Sequence, residues 1–379
     1  MLNSECEKCG GCLYRNMGEK AYRQHKEENF IKNVSRITSD FKVDEAVFIS
    51  DGQRRRAKME FALIKDELII GFNEEKSHNL VKINQCLMLE ERINKILPGI
   101  YDLMSEFCRV PIKIKNKKKK EETKYIKEGS VYILAADNGI DIVLKLALEP
   151  ILEHRLLVAD YVNKTPEICR FSWEIAEKNA ETIVMQYAPE IYIADCAVAV
   201  PQGVFLQASK KAEIAMIEKV KEYLGETRGK IADLFCGLGT FTYPLAQLPG
   251  NEVIAVDSNE QSLAGLQQAL NRNQLTNVKV LNRNLFKYPF DKADLNGITA
   301  VLMDPPRAGA HEQCREIASL PDKNKPQKII FISCNPNTFV YDANILVTSG
   351  YKMERITLFD QFVYSKHQEL VALFSINSK

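Results

Sequence analysis

Ile231-Ala232-Asp233-Leu234-Phe235-Cys236-Gly237-Leu238-Gly239-Thr240 reads as an apolar strand running into a glycine-bearing turn and then a helix. Glycine at a strand's carboxyl end lets the backbone turn tightly and approach a ligand. Outward from this stretch the pattern repeats. A helix is expected over Lys210–Leu224, a strand at VIAVD ending in Asp257, a helix over Gln261–Asn273, and strands at VKVL, ITAVLMD, KIIFIS and the terminal LVALF. Strands alternating with helices imply a doubly wound, parallel α/β sheet.

Asp257 follows the glycines at the separation where an acidic side chain accepts hydrogen bonds from both ribose hydroxyls of an adenosine cofactor. A dinucleotide fingerprint would place a third glycine three residues after Gly239, where Thr242 stands. S-adenosylmethionine, which has no pyrophosphate to cradle, therefore suits the turn better than NAD. An ordinary strand-to-helix turn with Asp257 as an N-cap is the plainer alternative.

Two further loops leave strands of the same sheet. Asp304-Pro305-Pro306-Arg307-Ala308-Gly309 fixes the backbone with two prolines, which suits a rigid loop against a ligand. Ser333-Cys334-Asn335-Pro336-Asn337 puts a thiol where doubly wound proteins meet substrate. If the methyl acceptor is a carbon such as C5 of uracil, too weak a nucleophile to attack a methyl sulfonium, a thiolate must first add to C6 and make C5 enolate-like. A base must then take the C5 proton. Glu369, just before the terminal strand, is the candidate, with His367 as runner-up.

The first half reads differently. Short alternating runs from Arg54 to Leu134 suggest a small antiparallel sheet, followed by a helix around Ser172–Gln186 and a strand pair, IYIADCAVAV and GVFLQAS. The charge run KIKNKKKKEE, Lys113 to Glu122, suits a solvated hairpin tip. The boundary falls near Gly203, giving parts of 1–203 and 204–379. Cys6, Cys9 and Cys12 form a C-x2-C-x2-C run with Cys86 standing apart, which suits a cubane iron-sulfur cluster; tetrahedral zinc is the alternative.

Across 379 residues, 51 Lys plus Arg nearly balance 50 Asp plus Glu, which argues against a surface built wholly for nucleic acid. The opening MLNSECEKCGGC has no basic-then-apolar leader, and no stretch approaches the roughly 18 apolar residues of a membrane span. A cytoplasmic protein with reduced cysteines and no membrane partner is the expectation.

Taken together, the cysteine cluster, Arg54-Arg55-Arg56-Ala57-Lys58, Phe205-Leu206-Gln207, DLFCGLGTF, DPPRAG, SCNP and HQEL make the chain resemble the RNA uracil-5 methyltransferases. The resemblance implies a class I S-adenosylmethionine-dependent methyltransferase domain at the C-terminus, preceded by an α+β domain with a [4Fe-4S] cluster on Cys6, Cys9, Cys12 and Cys86. It implies cofactor contacts from Gln207, Phe235, Gly237, Gly239, Asp257, Asn284 and Asp304, with Cys334 as nucleophile and Glu369 as base. Arg54, Arg55, Arg56 and Lys58 are the expected RNA contacts. The cluster favours ribosomal RNA over transfer RNA, and a monomer is expected. A methyltransferase acting on a base nitrogen and a non-enzymatic iron-sulfur RNA-binding protein are the competing classes.

Overall fold

The computed structural model describes residues 8–115, 121–176 and 180–376. They form two compact units: Met1–Leu13 with Ser50–Ile191, and Tyr14–Ile49 with Tyr192–Lys379.

The first unit is built on a seven-stranded sheet. Its order is Glu181–Met185, Ile168–Ile175, Ile140–Leu146, Glu128–Ala135, Arg56–Ile64, Glu67–Asn73 and Leu80–Lys82. The antiparallel pairing expected between Arg54 and Leu134 is present, with Arg56–Ile64 at its centre. On the helix Glu91–Phe107, Ile93, Ile96, Leu97, Ile100, Leu103, Met104 and Phe107 recur every three or four residues. They pack on Met59, Phe61, Ile133, Ile142 and Leu144 of the sheet.

Two sequence expectations fail in this region. The helix expected over Ser172–Gln186 is instead the end of strand Ile168–Ile175, a turn, and strand Glu181–Met185. The Ala- and Glu-rich stretch favours a helix by propensity. Its first residues, however, continue a strand buried from Ile168 through Trp173, which lies parallel beside Ile140–Leu146. The second failure is GVFLQAS, which is no strand: the pair lies within IYIADCAVAV, as Glu190–Ile193 and Cys196–Ala199. The two ends of the charge run, within Ile112–Lys115 and Glu121–Lys124, pair antiparallel. Its middle, 116–120, lies outside the described residues, as does Cys6.

The second unit contains, in chain order, α1 (Glu19–Val34), β1 (Lys42–Val43), β2 (Val47–Phe48), α2 (Lys210–Leu224), β3 (Gly229–Leu234), α3 (Thr242–Ala246), β4 (Asn251–Asp257), α4 (Glu260–Arg272), β5 (Val278–Asn282), β6 (Ile298–Met303), α5 (His311–Ser319), β7 (Lys328–Ser333), α6 (Pro336–Thr348), β8 (Lys352–Asp360) and β9 (Glu369–Ser375). The sheet order is β1-β8-β9-β7-β6-β3-β4-β5, with β2 also on β8. From β5 through β7 all neighbours are parallel, while β9 runs antiparallel between β7 and β8. Runs such as Ile329–Ile332 and Ala300–Met303 are buried along their length, as strands covered on both faces must be.

Helix starts follow from short polar side chains: Ser209, Asn259 and Asn335 each accept a backbone N–H in the first turn of α2, α4 and α6. In α1 the strong helix formers Glu, Lys, Ala and Gln dominate, and Tyr22, Lys26, Phe30 and Val34 form one buried stripe at four-residue spacing. Among the described residues no helix is long and apolar enough to cross a membrane.

Candidate active site

The strand order reverses between β3 and β6, the place where an open α/β sheet presents a crevice at its carboxyl edge. The turn after β3 lines it. Phe235 takes a left-handed conformation at φ 63°, costly for an aromatic residue and held by the surrounding structure. Gly237 follows at φ 54°, and a Cβ there would meet no atom within 4 Å, so its Cα faces open space. Gly239 plays a different part, since a Cβ would lie 2.6 Å from Leu266 and 2.9 Å from Tyr243; its missing side chain lets α3 and α4 pack closely.

Asp257 ends β4 and fixes this turn. One carboxylate oxygen accepts from Gly237 N at 2.9 Å and the other from Asn259 N at 2.8 Å. Asn284 caps its own turn, accepting from Phe286 N at 3.1 Å, and that turn brings the half-exposed Phe286 ring within 5.5 Å of Phe235. Beneath the turn Asp233 is fully buried, bonded by Thr242 at 2.5 Å, and burial pushes its carboxyl up to about 7.

The Asp304 loop leaves β6 and is pinned to α6, where Asp342 accepts from Ala310 N at 2.7 Å. Gly309, at φ 81°, leaves the space Asp342 occupies. Thr338 and Asn335 of α6 donate to the Arg307 carbonyl at 3.3 and 3.0 Å. Burial raises the Asp304 carboxyl to about 7.

Cys334 stands between β7 and α6, half-buried. Burial first, then the nearby charges of Glu369 and Asp304, raise its thiol to about 11, while Arg307 pulls it down. Nucleophile candidate, base candidate and the Asp-Pro-Pro carboxylate thus lie within electrostatic reach of one another, although they come from three different strand ends.

A chain of amides joins the two carboxylates. Gln207 donates to Asp304 at 3.2 Å; Gln361 donates to Gln207 Oε1 at 3.0 Å and to Glu369 Oε2 at 2.8 Å. The Gln361 oxygen accepts from Ala208 N at 3.2 Å, which fixes which end of that amide is the donor. Gln207, Gln361 and Glu369 are all buried. Sequence reasoning did not find Gln361, whose one signal is a polar residue placed directly after the apolar run of β8. His367, the alternative base, receives Arg307 Nη2 at 2.7 Å on a ring nitrogen.

In the first unit, Cys9, Cys12 and Cys86 are half-buried. Gly11 N donates to Cys9 Sγ at 3.4 Å, and Cys12 and Cys86 both act electrostatically on Arg54. Among the described residues no group of three or more His, Cys, Asp or Glu side chains is placed to hold a metal. Of the four basic residues at the start of Arg56–Ile64, Arg55 is buried, whereas Arg54 and Lys58 are exposed and Arg56 half-exposed.

A family model described as tRNA (Uracil-5-)-methyltransferase matches residues 190–376. A Brucella melitensis protein described as an uncharacterized RNA methyltransferase is 33% identical over 378 residues, 97% of this chain and 82% of that protein. The 23S rRNA (uracil(1939)-C(5))-methyltransferase RlmD of Shewanella frigidimarina is 28% identical over 402 residues, covering 98% and 81%. In fold, the chain is similar to the Pyrococcus abyssi tRNA (uracil-54, C5)-methyltransferase solved with S-adenosyl-L-homocysteine, with a TM-score of 0.71 at 19% identity over 97% of this chain and 86% of that one. The second unit has the class I S-adenosylmethionine-dependent methyltransferase fold, and with relatives of this identity along nearly its whole length the chain belongs to the RNA (uracil-5-)-methyltransferase family.

Proposed function

We propose that this protein methylates carbon 5 of one uracil in 23S ribosomal RNA through a covalent bond from Cys334 to C6. The observation that carries the reading is the convergence of Cys334, Asp304 and Glu369 at the carboxyl edge of one sheet. The RlmD relatives support 23S RNA as the substrate. The family model's transfer-RNA description favours the alternative, a transfer-RNA uracil.

The open space at Gly237, the Asp257 carboxylate and the Phe235 and Phe286 rings fit an adenosine moiety, with Gln207, Asn284 and Asp304 as further contacts. S-adenosylmethionine, when bound there, supplies the methyl group that C5 takes up. The target base is rotated out of its stack to meet the loops. Cys334 sulfur bonds to C6, which pushes electron density to C5. After methylation Glu369 takes the C5 proton, the C5–C6 double bond re-forms, and the sulfur–C6 pair returns to Cys334.

The first unit holds the RNA in this reading. With Arg55 buried, the phosphate contacts fall to Arg54, Arg56 and Lys58. A [4Fe-4S] cluster on Cys6, Cys9, Cys12 and Cys86 is part of this reading on the strength of the C-x2-C-x2-C run: an N–H on Cys9 sulfur and the charge of Arg54 near Cys12 and Cys86 both favour thiolates, although the described thiols are not gathered for a metal. When bound, such a cluster would cross-link the N-terminal cysteine run to the loop of Cys86. The functional division of the chain then falls near Gly203.

Nucleoside mass spectrometry with position mapping on ribosomal and transfer RNA, from cells with and without the gene, tests reaction and substrate together. Loss of 5-methyluridine at one 23S position is expected; loss in transfer RNA alone selects the alternative, and unchanged 5-methyluridine everywhere removes the reading.

A further inference from the structure

Lys26 is the one cation in the buried stripe of α1, with 1% of its surface exposed. Its ammonium makes two hydrogen bonds and one ion pair, all to a single short segment. Lys26 Nζ lies 2.8 Å from Asp360 Oδ1, 2.9 Å from the Ser365 carbonyl and 2.5 Å from the His367 carbonyl. Tyr22, one turn earlier, donates to the other Asp360 oxygen and accepts from Tyr364 N at 2.8 Å. Gln368 donates back to the Lys26 carbonyl at 2.8 Å. One turn of helix thus grips both ends of the loop 361–368.

What the loop carries gives these bonds their meaning. Gln361, bonded to Glu369 Oε2, adjoins the gripped Asp360; Glu369 adjoins Gln368; and His367 meets Arg307, the cation nearest Cys334 in its effect. Burying an ion pair contributes little net stability compared with apolar packing of the same volume, so an ordinary core would be served as well by leucine or methionine here. A clamp with directional bonds to two carbonyls does something packing does not: it fixes where the two loop ends point.

We propose that Tyr22, Lys26 and Asp360 form a clamp that positions Gln361 and, through it, the carboxylate of Glu369, which makes the first helix part of the proton-abstraction apparatus. The inference rests on Glu369 being the base. Tyr22, Lys26, Asp360 and Gln361 are positioning residues. The step they govern is the last: the C5 proton goes to the Glu369 carboxylate, the C5–C6 double bond forms, and the bond from C6 to Cys334 sulfur breaks with its electron pair on sulfur.

The test follows methyl-labelled S-adenosylmethionine into a 23S rRNA transcript with the full-length protein, measuring methyl incorporation and the fraction of RNA in a detergent-stable protein adduct. Glu369→Gln serves as the reference. Tyr22→Phe removes one hydroxyl, Gln361→Leu removes the bridge, and the double variant Lys26→Met with Asp360→Asn removes the ion pair without leaving a lone buried charge. In all three, methylated adduct is expected to accumulate and its release to slow tenfold or more, and in Tyr22→Phe, which leaves Gln207 untouched, S-adenosylmethionine affinity stays within twofold of the parent. Release at the parent rate in Tyr22→Phe and Gln361→Leu overturns the clamp. So does a parallel loss of adduct formation and release, the signature of a purely structural contact. If Glu369→Gln itself releases product normally, the base assignment fails instead. Should the double variant not fold, Tyr22→Phe decides.

Discussion

Arg307 and His367 meet at 2.7 Å, guanidinium against imidazole, and the same guanidinium is the cation that lowers the Cys334 thiol. A ring nitrogen already accepting from a permanent cation is poorly placed to take a proton from carbon, which favours the proposed base, Glu369, over His367. Arg307→Gln is expected to remove a stabilising charge from the thiolate. Alkylation of Cys334, followed by peptide mass spectrometry, should slow severalfold at fixed pH while His367→Gln leaves it nearly unchanged.

With its thiol near 11, Cys334 is protonated at neutral pH, and the thiolate fraction rises about tenfold per pH unit until that value. The alkylation rate of the RNA-free protein should climb with that slope between neutral pH and about 10. Asp304→Asn removes one of the two carboxylates that raise the thiol, so alkylation becomes faster at a given pH even as methyl transfer falls. A flat profile would show that the thiol is already ionised.

Gly237 and Gly239 separate binding from stability. Alanine at Gly239 brings a Cβ to 2.6 Å from Leu266 and 2.9 Å from Tyr243, an overpacking expected to cost about 1–3 kcal/mol in denaturant unfolding. Alanine at Gly237 meets no neighbour and bears only the left-handed strain, roughly 1–2 kcal/mol, while placing a methyl group in the space assigned to the cofactor. Calorimetric S-adenosylmethionine affinity should therefore fall more for Gly237→Ala than for Gly239→Ala.

Asp233 binds its proton more tightly folded than unfolded, about 7 against 3.8. Its contribution is fully present below pH 3.8 and lost as pH rises through about 7, because the folded state must then hold a buried charge. Thermal melts of Asp233→Asn should show a weaker loss of stability across that window than the parent does. An unchanged pH dependence would place the titration elsewhere.

The catalytic unit was legible because its signals are local. Apolar runs such as Ile329–Ile332, N-caps at Ser209, Asn259 and Asn335, and the glycines after Leu234 each act within a few residues. What escaped depends on residues far apart in the chain. Nothing near Lys26 announces a partner at Asp360, although a lysine inside a Tyr22, Phe30, Val34 stripe is a visible anomaly. Strands β1 and β2 are two residues each and exist only through pairing with β8. Propensity misread Ser172–Gln186 because burial of Phe171 and Trp173 beside a parallel neighbour outweighed the helix preference of the residues that follow.

Strand β9 enters the sheet between β7 and β8, which both precede it in the chain. Glu369 is its first residue, so the carboxylate is synthesised after Cys334 and is held in place by a strand paired on both sides. Under the proposed mechanism, a chain lacking that strand would hold the thiol without the carboxylate assigned to free it, so the last residues made complete the site.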